Sequence, residues 1–261
     1  MIPVHVSLPL VGWSVICLRP TSQQAAVRRL TQARGARHIA LPGLRLQAIP
    51  ARKELEAALA CATLVFTSPA AVAFALRQIE LVLPSGTTVF AVGAGTARAL
   101  ARQGIGALSP ANDAMHSEGM LGLPQWKDIS GPVGLVTAPG GRGVIAAGLA
   151  QRGIEVRRAE VYRRCAPHLD ARHRRALMQA TAPRAMLISS AEALDGVLAA
   201  LPTDSHAQLL DSLAVACSPR LAELARQRGF SRVTTASAPT AMAMLDTLEA
   251  WTKDNHSTAF R

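Results

Sequence analysis

The residues with chemical potential in this chain are small hydroxyls, glycines and two arginines placed where apolar runs give way to helix-like stretches. They are Arg19, Thr67, Ser68, Gly93, Thr96, Gly140, Arg142, Ser189, Ser190 and Ser218. In an open α/β sheet such positions fall beyond the carboxyl ends of strands, where helix N-termini point free N–H groups outward. An anion there gains about 0.3–1 kcal/mol, so several termini together can hold a molecule carrying many carboxylates without a dedicated cation for each. The same hydroxyls and glycines also suit helix caps and tight turns, and the set is more informative than any member. Tyr162 is the only tyrosine. A phenol is a proton donor at neutral pH and can assist departure of a hydroxyl, although an amphipathic ring also packs well at a hinge.

Other machinery is missing. GAGTAR at 93–98 opens like a dinucleotide fingerprint but carries Arg98 where a Gly or Ala should let helix and strand approach. APGGRG at 138–143 has phosphate-loop glycines without the Gly-Lys-Ser/Thr ending. No serine sits in a GxSxG elbow, and His168 and His173 typify histidines in polar or linker-like segments. Glu54, Glu56, Glu192 and Glu223 read as exposed helix positions. Cys17, Cys61, Cys165 and Cys217 are scattered, with no CxxC or paired-His spacing, so neither disulfides nor a metal is expected.

The elements that must position these residues are written twice. ATLVFTSPAAVAFAL at 62–76 is echoed by RAMLISSAEALDGVL at 184–198, and TVFAVGAGTARALARQGI at 88–105 by SLAVACSPRLAELARQRGF at 212–230. A more diverged pair sets WSVICLRPTSQQAAVRRL at 13–30 against PVGLVTAPGGRGVIAAGL at 132–149. Short apolar strands alternating with helix-length segments predict βαβ units around parallel sheets covered on both faces. Gly35, Gly104, Gly153 and Gly229 are expected to close helices. Two proline-containing stretches, 41–50 and 157–167, interrupt the alternation and read as linkers. They imply a discontinuous first domain, residues 1–42 with 164–261, and an inserted second, 43–163, with a cleft between.

The chain has 261 residues, 49% of them apolar, enough for two cores. No apolar run approaches bilayer length and the N-terminus lacks a signal-peptide pattern, so a cytoplasmic protein without membrane attachment is expected. Lys53, Lys127 and Lys253 are the only lysines, so 25 of the 28 basic residues are arginines, and the formal charge is +11. Genomic GC bias accounts for much of the arginine, but the surplus charge favours an anionic partner. Nucleic acid is not that partner, because aromatics are only 3% and no recognition motif is present. A monomer is expected.

TLVFTSPAAV at 63–72, AVGAGTARAL at 91–100, GGR at 140–142 with LAQRGIEV at 149–156, and EVYRR at 160–164 form an ordered series that resembles the uroporphyrinogen-III synthase family over about residues 13–250. The resemblance implies two flavodoxin-like α/β domains with parallel sheets, joined by a two-stranded linker, the first domain discontinuous. It implies a cofactor-independent cyclising lyase acting on hydroxymethylbilane, a linear tetrapyrrole with eight carboxylates, and inverting the last pyrrole ring through a spiro intermediate with loss of water. By position, Thr67, Ser68, Gly93, Thr96 and Arg142 would bind substrate from the inserted domain, and Arg19, Ser189, Ser190 and Ser218 from the other. Tyr162 matches the tyrosine expected to help the hydroxyl leave. Two departures are plain: Cys17 and Leu18 precede Arg19 where many relatives have Thr, and Cys217-Ser218-Pro219-Arg220 replaces a Gly and Thr turn. An unstable substrate also points to handover from the preceding pathway enzyme. The alternative reading is a two-lobed protein that binds a small polycarboxylate without reacting it.

Overall fold

The structure, a computed structural model, describes residues 8–111, 117–140 and 143–256. The chain runs β1 (Ser14–Cys17), α1 (Thr21–Gln32), β2 (Arg37–Ala40), β3 (Arg45–Ala48), α2 (Arg52–Leu59), β4 (Thr63–Phe66), α3 (Pro69–Leu76), β5 (Thr88–Ala91) and α4 (Ala94–Ala101). It continues through α5 (Ser117–Leu121), β6 (Val133–Thr137), α6 (Val144–Ala150), β7 (Val156–Glu160), β8 (Tyr162–Cys165), α7 (Ala171–Met178), β9 (Arg184–Ile188) and α8 (Ala191–Ala200). The last elements are α9 (His206–Leu210), β10 (Leu213–Ala216), α10 (Pro219–Gln227), β11 (Val233–Thr235) and α11 (Ala241–His256).

Contacts divide the chain into two compact units, Met1–Arg45 with Cys165–Arg261, and Leu46–Arg164. In the first unit five parallel strands lie in the order β11-β10-β9-β1-β2. Numbered by their own sequence order this is 2-1-3-4-5, the flavodoxin-like arrangement. SVIC of β1 and LAVA of β10 are buried at every position, as strands covered on both faces must be. On one face Val15, Cys17, Leu213 and Val215 pack against Val27 of α1 and Met244, Leu245 and Leu248 of α11.

In the second unit the parallel order is β5-β4-β6-β7, with Thr63 of β4 opposite both Thr88 and Val133. Alternation along β4 sorts its side chains. Leu64 and Phe66 join α2, α3 and α4 on one face, while Val65 joins Phe90, Trp126, Ile145 and Leu149 on the other. β6 approaches α2 closely at Gly134, where an added Cβ would stand 2.2 Å from the Ala58 carbonyl oxygen.

The duplication survives in the sheet order. Counted from the β7 and β2 edges, the order β5-β4-β6-β7 of the second unit matches β10-β9-β1-β2 of the first, repeat for repeat. The repeats β4–α3 and β9–α8, β5–α4 and β10–α10, β6–α6 and β1–α1 therefore hold equivalent places, although the chain visits them in permuted order. Leu108 forms a parallel bridge to Phe90, where the first unit has its full edge strand β11 beside β10.

Gly35, Gly104, Gly153 and Gly229 follow α1, α4, α6 and α10 with φ of +82°, +73°, +71° and +98°, a conformation that favours glycine at a helix end. One expectation needs correction. Residues 157–160, read from sequence as linker, belong to β7 at the edge of the second sheet, paired with β6 from Val156 onward. A separate two-stranded sheet joins β3 to β8, with Gln47 Oε1 accepting from Arg163 at 3.2 Å.

Candidate functional site

In the second unit β4 and β6 are neighbours whose onward connections leave in opposite directions, to β5 and to β7. This is the topological switch point, where an open α/β sheet leaves a crevice beyond its carboxyl ends. Thr67 and Ser68 follow β4, and Thr137 and Ala138 end and follow β6. All four line a pocket of about 200 Å³, together with residues at the start of α6, Arg158, Tyr162 and Arg164. Thr67 Oγ1 donates to Thr137 Oγ1 at 3.1 Å, which ties the two strand ends together.

Ser68 is the N-cap of α3. Its Oγ accepts from the Ala71 N–H at 3.0 Å, and Pro69 occupies the first helical turn. The same oxygen lies 3.0 Å from the Tyr162 hydroxyl. Tyr162 opens β8, is 4% exposed, and stacks on Phe74 of α3 with ring centroids 5.3 Å apart and planes 16° apart. Packing and hydrogen bonding thus both fix the phenol, with its oxygen at the helix's positive end. Two hydroxyls carry two protons. One lies in the Ser68–Tyr162 bond, and the other is free to meet a ligand in the pocket.

The remaining expected residues of this unit are placed differently. Gly93 caps α4 through extended backbone, and Thr96 sits in the first turn of α4 at 3% exposure; neither lines this pocket. Arg142 lies outside the described residues. Arg158, Arg164, Ser117 and Thr137 line the pocket but escaped the sequence reading. The available signal was the spacing of Arg158, Tyr162 and Arg164 at even intervals along extended chain.

In the first unit the corresponding switch point lies between β1 and β9. Arg19 follows β1, and Ser189 and Ser190 follow β9. Arg19 donates to the Pro239 carbonyl at 3.0 Å and is held near Gln23. Ser190 caps α8, accepting from the Ala193 N–H at 3.3 Å, and so repeats the role of Ser68; Ser218 caps α10 through the Leu221 N–H at 3.4 Å. Gln24 Nε2 donates to the carbonyls of Cys17 at 3.1 Å and Arg19 at 2.6 Å, while its Oε1 accepts from His38 Nε2 at 2.9 Å. The loop carrying Arg19 is therefore braced from β2. Burial, and then the nearby Arg28 charge, push His38 down to about 4, and its buried Nδ1 has no hydrogen-bond partner. Burial raises the thiols of Cys17 and Cys217 despite Arg19 close by, so neither is poised as a thiolate nucleophile.

Among the described residues no helix is long and apolar enough to cross a membrane. The family model described as uroporphyrinogen-III synthase HemD matches residues 25–246. The chain is 32% identical over 248 residues to a uroporphyrinogen-III synthase of Escherichia coli K12, covering 90% of this chain and 100% of that one. Its fold is similar to a uroporphyrinogen-III synthetase of Helicobacter pylori 26695, with a TM-score of 0.61, 16% identity, and coverage of 91% and 99%. It is also similar to a mutant uroporphyrinogen III synthase of the extremely thermophilic bacterium Thermus thermophilus, with a TM-score of 0.57, 19% identity, and coverage of 91% and 97%.

Proposed function

The chain belongs to the uroporphyrinogen-III synthase family, cyclising lyases of tetrapyrrole synthesis, and from that premise we propose that it closes hydroxymethylbilane with Tyr162 as the proton donor to the departing hydroxyl. The observation that carries this reading is the Ser68–Tyr162 hydrogen bond inside the switch-point pocket. With Ser68 donating to the phenol oxygen, the Tyr162 proton points to the substrate. Its transfer turns the hydroxyl into water as the C–O bond breaks, leaving a conjugated azafulvene cation. The developing phenolate then accepts the Ser68 hydrogen bond, which is strengthened because Ser68 itself accepts from Ala71 N–H.

The cation closes unaided to the non-inverted isomer, so the protein's larger task is geometry. Attack must come from the substituted carbon of the last ring, giving a spiro intermediate that fragments and recloses. Holding the reacting atoms in one near-attack arrangement favours that route. Thr67, Ser68, Gly93, Thr96 and Arg142 of the inserted domain, residues 43–163, are the substrate-binding positions in this reading. Arg19, Ser189, Ser190 and Ser218 are those of the discontinuous domain. No cofactor takes part, and the chain works as a cytoplasmic monomer that receives its unstable substrate from the preceding pathway enzyme. The reading as a non-catalytic polycarboxylate binder is not favoured by the family match. Turnover of hydroxymethylbilane faster than its spontaneous closure separates the two, and binding without acceleration would reject catalysis.

A further inference from the structure

We infer that the pocket beside Tyr162 is a subsite for a single pyrrole ring, in which Arg158, held by Glu160, grips one of that ring's carboxylates. This rests on the reading of the substrate as a linear tetrapyrrole.

The pocket is small. Pockets that enclose a drug-sized ligand run from about 300 to 1,000 Å³. At about 200 Å³ this one admits a fragment and not a four-ring chain. Eight carboxylates over four rings are two per ring, so a seated ring brings two anionic groups with it.

Ala159 and Val161 are fully buried, and the even-numbered positions Arg158, Tyr162 and Arg164 line the pocket. Arg158 Nη2 stands 2.6 Å from Glu160 Oε1, with the two side chains 42% and 35% exposed. An ion pair so exposed contributes little to stability. Its effect is orientation: the Glu160 carboxylate lies against Nη2 and biases where the guanidinium sits, and the other nitrogens of the fork can meet a planar carboxylate. Three residues separate this cation from the phenol that meets the reacting end of the same ring.

The probe is a monopyrrole bearing one acetate and one propionate, titrated by calorimetry and used as a competitor of hydroxymethylbilane. Arg158→Gln is expected to weaken monopyrrole binding and to raise KM about 10- to 100-fold, with a smaller change in kcat. Arg158→Lys should recover part of the loss and Glu160→Gln should show a lesser one, whereas Tyr162→Phe should act on kcat. Failure of the monopyrrole to bind the wild-type protein, or equal binding and equal KM in Arg158→Gln, would overturn the assignment. Calorimetry needs no turnover, so a wild-type protein that formed no type III isomer would reject the catalytic reading separately.

Discussion

The Ser68 hydroxyl lies 3.0 Å from the Tyr162 hydroxyl, and through this bond the cap of α3 and the phenol at the start of β8 share one oxygen. The chain separates them by 94 positions. They meet because β4 ends where α3 begins, and the chain returns after β7 to place β8 against the same helix.

Tyr162→Phe preserves the stack on Phe74 and removes only the hydroxyl. Loss of a positioned general acid lowers kcat by about 10²-fold. Steady-state kinetics together with thermal melting check this, and an unchanged rate would reduce Tyr162 to hinge packing.

Ser68→Ala removes the α3 cap as well as the phenol's partner, and is expected to cost about 1 kcal/mol of stability. Its kinetic effect should not add to that of Tyr162→Phe, because the two hydroxyls act as one unit. A double-mutant cycle in kcat decides the matter; full additivity would mean that the pair acts independently.

His38 gives the first unit a pH signature. Its folded value of about 4 lies below the ordinary 6.5, so the unfolded chain binds the extra proton first as pH falls. Stability from this group is complete above about 6.5 and is lost as pH descends toward 4. Discounted for partial exposure, the loss is about 1–2 kcal/mol. Urea unfolding across that range should slope less in His38→Gln, which keeps a donor toward Gln24; equal slopes would contradict the account.

Gly196 of α8 faces the Gly43 carbonyl so closely that an added Cβ would stand 2.2 Å from its oxygen. Gly196→Ala should destabilise by about 1–3 kcal/mol in urea. Gly106→Ala is the control, since nothing lies within 4 Å of its added Cβ and its φ is not positive. Similar midpoints for the two variants would refute close packing at this contact.

Much of this arrangement is legible in the sequence. The repeated strand–helix pairs mark their own places in the two sheets, because continuous apolar strands need helices on both faces. Capping hydroxyls such as Ser68, Ser190 and Ser218 advertise helix starts by residue type. Arg158 and Arg164 were missed because alternation along exposed strand resembles an ordinary solvated face. The limits of β7 were missed because an edge strand with VRRAE lacks the apolar run of its neighbours. The Ser68–Tyr162 contact depends on tertiary packing, which local sequence does not record.

The most direct measurement supplies hydroxymethylbilane to the purified protein and separates the cyclised products by isomer. The account predicts the inverted type III macrocycle, formed faster than spontaneous closure. The type I isomer alone, appearing at the rate seen without protein, would contradict it.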